Sequence, residues 1–348
     1  MIDPDPVEDE LKALIAAEGP ITVSRYMAMA NAAYYASHDP FGTKGDFITA
    51  PEVSQMFGEL IGLALSDAWR EGGGSPHYVE LGPGRGTLAQ DALRAMASTG
   101  LEPPVHFVET SPLLRKEQGE RVANARWHTA IDTLPDDVPL MIVANEFFDA
   151  MPVEQYVKTI MGWRELMVRY DMDEFQTVPG QTDAEGQIPE DIRDAHTASV
   201  YERSALMAKL VHSLALRLAK QGGVMIVIDY GYHDHHAGDT LQAVHAHAYA
   251  DPFVRPGTSD LTAHVDFSAL IKAASVRGTR VRGPVDQGDW LVALGIDIRS
   301  DQLTRAHPTR AAELAAARMR LIHPEQMGTL FKVVGVSGTH WPIIPGLN

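Results

Sequence analysis

The 348-residue sequence contains no cysteine. Disulfides, thiolate metal sites and cysteine nucleophiles are therefore excluded. Basic charge is also scarce, with 29 Lys and Arg against 46 Asp and Glu and a formal net charge of -17. A surface of that sign opposes the approach of a phosphate backbone, so nucleic acid is not an expected partner. It is compatible with a basic protein or peptide, although a solvated acidic surface accounts for most of the carboxylates. No apolar run approaches the ~20 residues of a membrane span, and no membrane insertion is expected. Met1-Ile2-Asp3-Pro4-Asp5-Pro6 is acidic and lacks the basic n-region of a signal peptide, so the expected location is cytoplasmic. No internal repeat is present. What remains, 45% hydrophobic and 22% charged residues, is ordinary for a globular protein with one large domain or two modest ones.

The most informative stretch is Tyr78-Val79-Glu80-Leu81-Gly82-Pro83-Gly84-Arg85-Gly86-Thr87-Leu88. A short apolar run with the character of a buried parallel strand ends at three alternate glycines, and a helix-compatible segment, Thr87 to Ser98, follows directly. Glycines permit a sharp turn at positive φ and remove the Cβ that would block close approach of a ligand. The helix start offers free N–H groups to ligand oxygens. The spacing is G-x-G-x-G with an acid, Glu80, two residues ahead, and it differs from the G-x-G-x-x-G of dinucleotide folds. About one βα unit later Val105-His106-Phe107-Val108-Glu109 forms a second apolar strand ending in a carboxylate that can accept ribose hydroxyls. Together these stretches point to a site for S-adenosylmethionine (SAM) or NAD.

From His77 onward strand and helix alternate, which predicts an α/β fold with a mostly parallel, doubly wound sheet. Strands are expected at 77–81, 105–109, 126–129, 139–144 and 224–229. Ahead of them lie helices at Val7–Ala17 and from Thr22 or Ser24 to Ala33. A loop follows at Tyr34 to Gly42, then a helix with Pro51 in its first turn that runs through Trp69. Gly72-Gly73-Gly74-Ser75-Pro76 reads as a linker, or as the loop that brings the chain into the sheet. Val153 to Val178 alternates in period two, an antiparallel insertion turning at Met161-Gly162. A surface loop at Pro179–Pro189, a helix at Ser199–Lys220, a long polar segment to about Asp260 and a helix near Phe267–Val276 complete the pattern. The closing antiparallel pair is expected between Gly288–Leu294 and Thr329–Val336.

Ligands of open α/β sheets bind beyond the carboxyl ends of the strands. Asn145, Glu146 and Asp149, interleaved with Phe147 and Phe148, stand at such an end. Carboxylates hold a guanidinium by paired hydrogen bonds and rings stack on it; the other reading makes Asn145 or Asp149 a helix cap. Tyr230 ends the next strand, where it either walls the site or packs on the core. Asp260, His264 and Asp266 precede a helix that Thr262 or Asp266 could cap, and they could equally face a substrate. His233, His235, His236, His245 and His247 match no metal-ligand spacing and read as a polar loop, so no metal is expected.

Four stretches, Gly45 to Glu59, Glu80 to Thr87, Asn145 to Pro152 and Pro256 to Phe267, together resemble the signature blocks of the MidA-like family. This family of SAM-dependent methyltransferases includes the mitochondrial complex I assembly methyltransferase, and the resemblance runs from about Gly19 to the C-terminal strand. It implies a class I, Rossmann-like core at 76–348 with insertions at about 153–200 and 232–266, and a helical extension at 1–75 that covers the cofactor. It implies SAM as cofactor, with Glu80, Gly82, Gly84 and Gly86 around it and Glu109 at the ribose. Asp46, Phe47, Thr49 and Pro51 would fold over it. It further implies methylation of an arginine on a subunit of respiratory complex I, with Asn145 and Glu146 near the methyl group. Two rivals stand beside this reading: an NAD(P)-dependent oxidoreductase on the same sheet, and a non-enzymatic assembly factor that keeps the fold as a scaffold.

Overall fold

Apolar runs that can be covered on both faces become the middle strands of a parallel sheet. The computed structural model describes residues 6–37, 49–245 and 248–347. Its described residues fall into two compact units: one from 6–37, 149–209 and 232–270, the other from 49–148, 210–231 and 271–347. The helix Gln55–Gly72 groups with the sheet-bearing unit, so the division lies ahead of Thr49 and not at the glycine run 72–76.

In the sheet-bearing unit we number the strands β1 (His77–Leu81), β2 (Val105–Val108), β3 (Arg126–His128), β4 (Leu140–Asn145), β5 (Gly223–Tyr232), β6 (Thr279–Asp286) and β7 (Phe331–Gly338). Their order across the sheet is β3-β2-β1-β4-β5-β7-β6. Strands β1 to β5 pair in parallel, and β7 runs antiparallel to both β5 and β6. The order reverses between β1 and β4, and this switch point is where doubly wound sheets bind their ligands. Register brings the strand ends to one level: Leu81 lies opposite Ala144 and Val108, and Asn145 opposite Ile228. Gly82, Glu109, Glu146 and Asp229 therefore follow on one rim.

Helix Gln55–Gly72 packs closely on helix Thr87–Ser98. A Cβ added at Gly62 would stand 2.3 Å from the Ala92 carbonyl oxygen, and one at Gly58 would stand 2.7 Å from Asp91 Cβ. Between them Glu59, 5% exposed, takes Arg299 Nε at 2.7 Å, Arg94 at 2.9 Å and Gln55 Nε2 at 3.0 Å. Burial pushes this carboxyl up, but the guanidiniums of Arg299 and Arg94 together outweigh burial and hold it below its ordinary value. The core beneath includes Phe57, Ile61, Tyr78, Met141, Ile226 and Val333.

The other unit is built on antiparallel strands Glu154–Thr159, Gly162–Asp171, Glu174–Asp183 and Val200–Arg203, with Ile21–Thr22 added at one edge. Helices Pro6–Glu18 and Val23–Ser37 contribute Leu11, Tyr26 and Met27 to a core shared with Val168 and Phe175.

Several expectations need correction. The helix expected at Ser199 begins at Ala205, because Val200–Arg203 pairs with Glu154–Val157 as a strand. Of the loop expected at Tyr34 to Gly42, residues 34–37 are helical, since helix Val23–Ser37 buries Tyr34 completely, and 38–42 lie outside the described residues. Residues 179–183, expected in a loop, continue a strand paired with Gly162–Asp171. The helix expected from Pro51 through Trp69 breaks at Ser54, whose hydroxyl caps the second segment by accepting from Met56 N at 3.2 Å. Gly288–Leu294 is not the closing strand: Gln287–Ala293 is helical, and β6 pairs with β7 instead. The long polar segment up to about Asp260, with no strand expected in it, carries short strands at Gln242–His245, Ala248–Ala250 and Asp260–Thr262.

Three histidines cross the sheet on β1, β2 and β3. His77 Nδ1 and His106 Nε2 are 2.9 Å apart, His106 Nδ1 and His128 Nε2 are 2.9 Å apart, and His128 Nδ1 meets Thr133 Oγ1 at 2.8 Å. The Thr133 hydroxyl donates to the Ala130 carbonyl, so His128 Nδ1 donates to that hydroxyl and His128 Nε2 accepts from His106. His106 in turn accepts from His77 when neutral and donates to it when charged. Burial, then the neighbouring His77 and His128 and the Arg126 charge, push His106 down to about 4. The unfolded ring titrates near 6.5. The stabilisation is therefore complete above that pH and is lost as pH falls toward 4. Chemical denaturation at pH 7 and pH 4.5 should show this loss, and His106→Gln should remove much of the difference between the two.

Candidate active site

The glycine loop after β1 turns in the left-handed region three times, with φ of 58° at Gly82, 53° at Gly84 and 82° at Gly86. A Cβ at Gly82 would lie 2.7 Å from the Phe147 ring. Gly86 is the N-cap of helix Thr87–Ser98 and has no side chain with which to cap it. The first N–H groups of that helix consequently face the rim at the switch point, ready for ligand oxygens.

Glu80 is buried, accepts a 2.6 Å hydrogen bond from Tyr78 Oη, and is pushed up by burial to about 8. It is thus held neutral at pH 7 and can donate a proton into a hydrogen bond. Glu109, where β2 ends, is 9% exposed. Its Oε1 accepts from the Thr110 and Ser111 amides, both at 2.8 Å, and its Oε2 from Gln118 Nε2 at 3.2 Å. Burial raises it above the usual carboxylate value despite those donors. Gln118 also donates to the Gly84 carbonyl at 2.7 Å and accepts from Trp127 Nε1 at 2.7 Å. One fully buried amide therefore ties the acid of β2 to the glycine loop. Gln118 carried no sequence signal; it stands on an ordinary polar helix.

After β4 the backbone turns at Glu146, which has φ 49°. A non-glycine residue in that region is uncommon and is retained only where surrounding structure enforces it. Here Glu146 N donates to the Ile228 carbonyl at 2.9 Å. Asp229, fully buried, accepts from the amides of Phe147 at 3.2 Å and Phe148 at 2.9 Å. Glu146 Oε1 accepts from Ala50 N and from Asn145 Nδ2, both at 3.1 Å. Asn145 Oδ1 is buried with no hydrogen-bond partner among the described residues. The short helix Ala50–Val53 has Thr49 before it and Pro51 in its first turn. It is fastened to the glycine loop through Thr87 Oγ1, which donates to Glu52 Oε1 at 2.6 Å. Asp46 and Phe47 lie outside the described residues.

Other expected site residues separate from this group. No helix follows Glu146, so the capping alternative for Asn145 and Asp149 fails; the chain runs through turns to the strand at Glu154. Tyr230 packs edge-on against Phe331, with ring centroids 5.5 Å apart. Asp149, Asp260, His264 and Asp266 belong to the other compact unit. There Tyr35 Oη donates to Asp260 Oδ2 at 2.8 Å, and burial, then the charges of Asp260 and Asp149, push the Tyr35 phenol well up. Asp266 caps a helix by accepting from Ala269 N at 2.9 Å, and its other oxygen pairs with His235 Nδ1 at 2.7 Å. His264 faces the Tyr232 ring, and its own ring is pushed down by burial and by His236.

A doubly wound sheet with an uncapped glycine loop at its switch point, and a buried acid closing the next strand, has the form of a class I SAM-dependent methyltransferase. The cradle fits that cofactor: glycines keep Cβ atoms out of the loop, and Asn145 presents an orphaned buried oxygen at the rim. Comparison with known proteins agrees. Residues 60–285 match a family described as "Putative S-adenosyl-L-methionine-dependent methyltransferase". The chain is 35% identical over 397 residues to the fruit fly protein arginine methyltransferase NDUFAF7 homolog, mitochondrial, covering 96% of this chain and 87% of the relative. Against human protein arginine methyltransferase NDUFAF7, mitochondrial, identity is 35% over 372 residues, or 94% and 83% of the two chains. A crystal structure of a COG1565 superfamily member from Burkholderia thailandensis, bound to S-adenosyl-homocysteine, superposes with a TM-score of 0.85 at 30% identity, covering 98% of this chain and 92% of that one.

The chain belongs to this SAM-dependent methyltransferase family, and SAM is its cofactor. The oxidoreductase and scaffold readings fall with that result. So does the expectation of a cytoplasmic location, because the curated relatives are named as mitochondrial proteins. No helix among the described residues is long and apolar enough to cross a membrane.

Proposed function

We propose that this methyltransferase modifies an arginine side chain of a protein, and that the protein is a subunit of respiratory complex I (NADH:quinone oxidoreductase) methylated in support of assembly. The observation that carries the reading is 35% identity, over 94% or more of this chain, to proteins named protein arginine methyltransferases. The MidA-like signature blocks extend it to complex I. When bound, SAM supplies an electrophilic methyl group on a sulfonium. The chain contributes position and field. Glu80, Gly82, Gly84 and Gly86 cradle the cofactor, Glu109 holds the ribose, and Thr49 and Pro51 close over it. An arginine nucleophile is protonated in water (pKa above ~12). Glu146 fixes one of its nitrogens and stabilises the cation while the proton leaves, and Asn145 Oδ1 accepts from another nitrogen. Asp149 and Asp260, the two acids beside Tyr35, hold the substrate together with His264.

The test is transfer of radiolabel from SAM to purified complex I subunits, followed by mass spectrometry of the labelled protein from cells with and without this enzyme. Label on lysine or on no subunit would overturn the reading.

Glu109→Ala should weaken SAM by roughly 1.5–3 kcal/mol, the scale of hydrogen bonds to a charged group. A 2′-deoxy analogue of SAM should lose little further affinity in that variant. Its thermal melt should fall as well, since the Thr110 and Ser111 amides lose their acceptor. Calorimetry below the melting range separates the two effects, and equal losses for the analogue in both proteins would remove Glu109 from the ribose.

A further inference from the structure

The antiparallel sheet of the second unit carries a cavity of about 310 Å³. Side chains of a strand alternate between faces, so register decides what meets there. Tyr156 lies opposite Glu165 on the next strand, and Glu154 opposite Arg203 on the strand to the other side. Glu154 and Tyr156 are two residues apart and share a face. All four line the cavity, with Asp183 and Gln187 closing it.

The charges in this cavity do not balance internally. Arg203 is engaged by Glu154 Oε2 at 3.1 Å and Gln187 Oε1 at 2.7 Å. Asp183 is engaged by Arg164 at 3.1 Å. Glu165 makes neither an ion pair nor a side-chain hydrogen bond among the described residues. Burial, and then the charge of Glu154, push its carboxyl up, and the charge of Arg203, which stands over the Tyr156 ring 6.0 Å from its centroid, offsets only part of that rise. Tyr156 is only 5% exposed, yet its hydroxyl makes no hydrogen bond among the described residues. The Tyr156 hydroxyl, at the open end of a ring that is otherwise buried, and the Glu165 carboxylate beside it are both free to meet a ligand that enters the cavity.

We propose that this cavity binds a basic side chain, arginine or lysine, from a protein partner. A guanidinium or ammonium would take Glu165 as its counter-ion, with the Tyr156 hydroxyl as a further acceptor, and would relieve the repulsion between Glu165 and Glu154. None of these residues has a role in cofactor binding or methyl transfer, so the cavity is a second contact for a partner and is independent of the methylated residue.

The test is an amide correlation spectrum of the full chain titrated with N-acetyl-arginine amide, N-acetyl-lysine amide and neutral N-acetyl-citrulline amide. Saturable shifts at Tyr156, Glu165 and Thr182–Ala184 are expected with one or both basic probes, and which probe saturates first names the side chain. Glu165→Gln should weaken that binding at least fivefold, and Glu165→Lys, which places its own ammonium beside Glu154, should abolish it. Both variants should bind SAM as the wild type does, which separates this site from the methyl-transfer site. Absence of saturable shifts, equal shifts with citrulline amide, or undiminished binding to a folded Glu165→Gln protein would each overturn the proposal.

Discussion

Replacing Glu146 by glutamine should leave SAM affinity close to that of the wild type and cut methyl transfer by roughly 10²–10³-fold, the usual loss when one preorganised electrostatic contact to the transition state is removed. Glutamine keeps the side-chain shape and an acceptor for Ala50 N and Asn145 Nδ2, the two donors that hold Glu146 Oε1. What it loses is charge. A carboxylate beside a guanidinium that is shedding its proton stabilises the transition state more than the bound cofactor, so the loss belongs in the rate of the chemical step. A single-turnover assay with labelled SAM and a complex I subunit reads that step directly, beside calorimetric SAM binding. Near-wild-type transfer would take Glu146 out of the mechanism and leave the acids from Asp260 to Asp266 as the substrate-holding groups.

Gly84→Val should reduce SAM affinity by about a hundredfold or more. Gly84 has φ 53°, and a β-branched residue is a genuine outlier there. The substitution also reaches Glu109, because Gln118 donates to both the Gly84 carbonyl and the Glu109 carboxylate. A shifted loop would thus misplace the ribose acid as well as the free N–H groups at the helix start. Calorimetry on the variant, with circular dichroism to show that it has folded, checks this. Unchanged affinity in a folded Gly84→Val protein would mean that the glycine loop does not carry the cofactor.

The parallel strands could be read from the sequence because a strand covered on both faces must be apolar throughout, as Leu140-Met141-Ile142-Val143 and Val224-Met225-Ile226-Val227-Ile228 are. Elements whose state depends on a distant partner could not. Val200–Arg203 is a strand because Glu154–Val157 lies beside it, whereas its own residues suit the helix that follows. The apolar run Trp290-Leu291-Val292-Ala293-Leu294 is equally compatible with strand and buried helix. The true partner of β7, Thr279–Asp286, hid behind its Gly283-Pro284 pair, where the register shifts in a bulge. In the site, the glycine loop and Glu109 announced themselves through spacing. Gln118 and Asp229 did not, since a buried amide holding two loops, or a strand-end acid accepting two amides, has no pattern along the chain. The alternatives left open for Asp266 and Tyr230 are likewise decided only by who stands next to them.

The position of β7 has a consequence for how the protein is made. β5 ends at Tyr232 and pairs along Gly223–Ile228 with β4, but the strand that pairs along its opposite edge, Val224–Tyr230, begins only at Phe331. At ordinary synthesis rates of ~5–20 residues per second, the ribosome takes roughly five to twenty seconds to reach it. Throughout that interval the nascent chain carries an unpaired edge of Val224, Met225, Ile226, Val227 and Ile228, the kind of edge that recruits other chains. Chains released before Phe331 should accumulate as insoluble material even though every cofactor-binding residue has already been translated. The last strand to emerge is the one that closes the sheet.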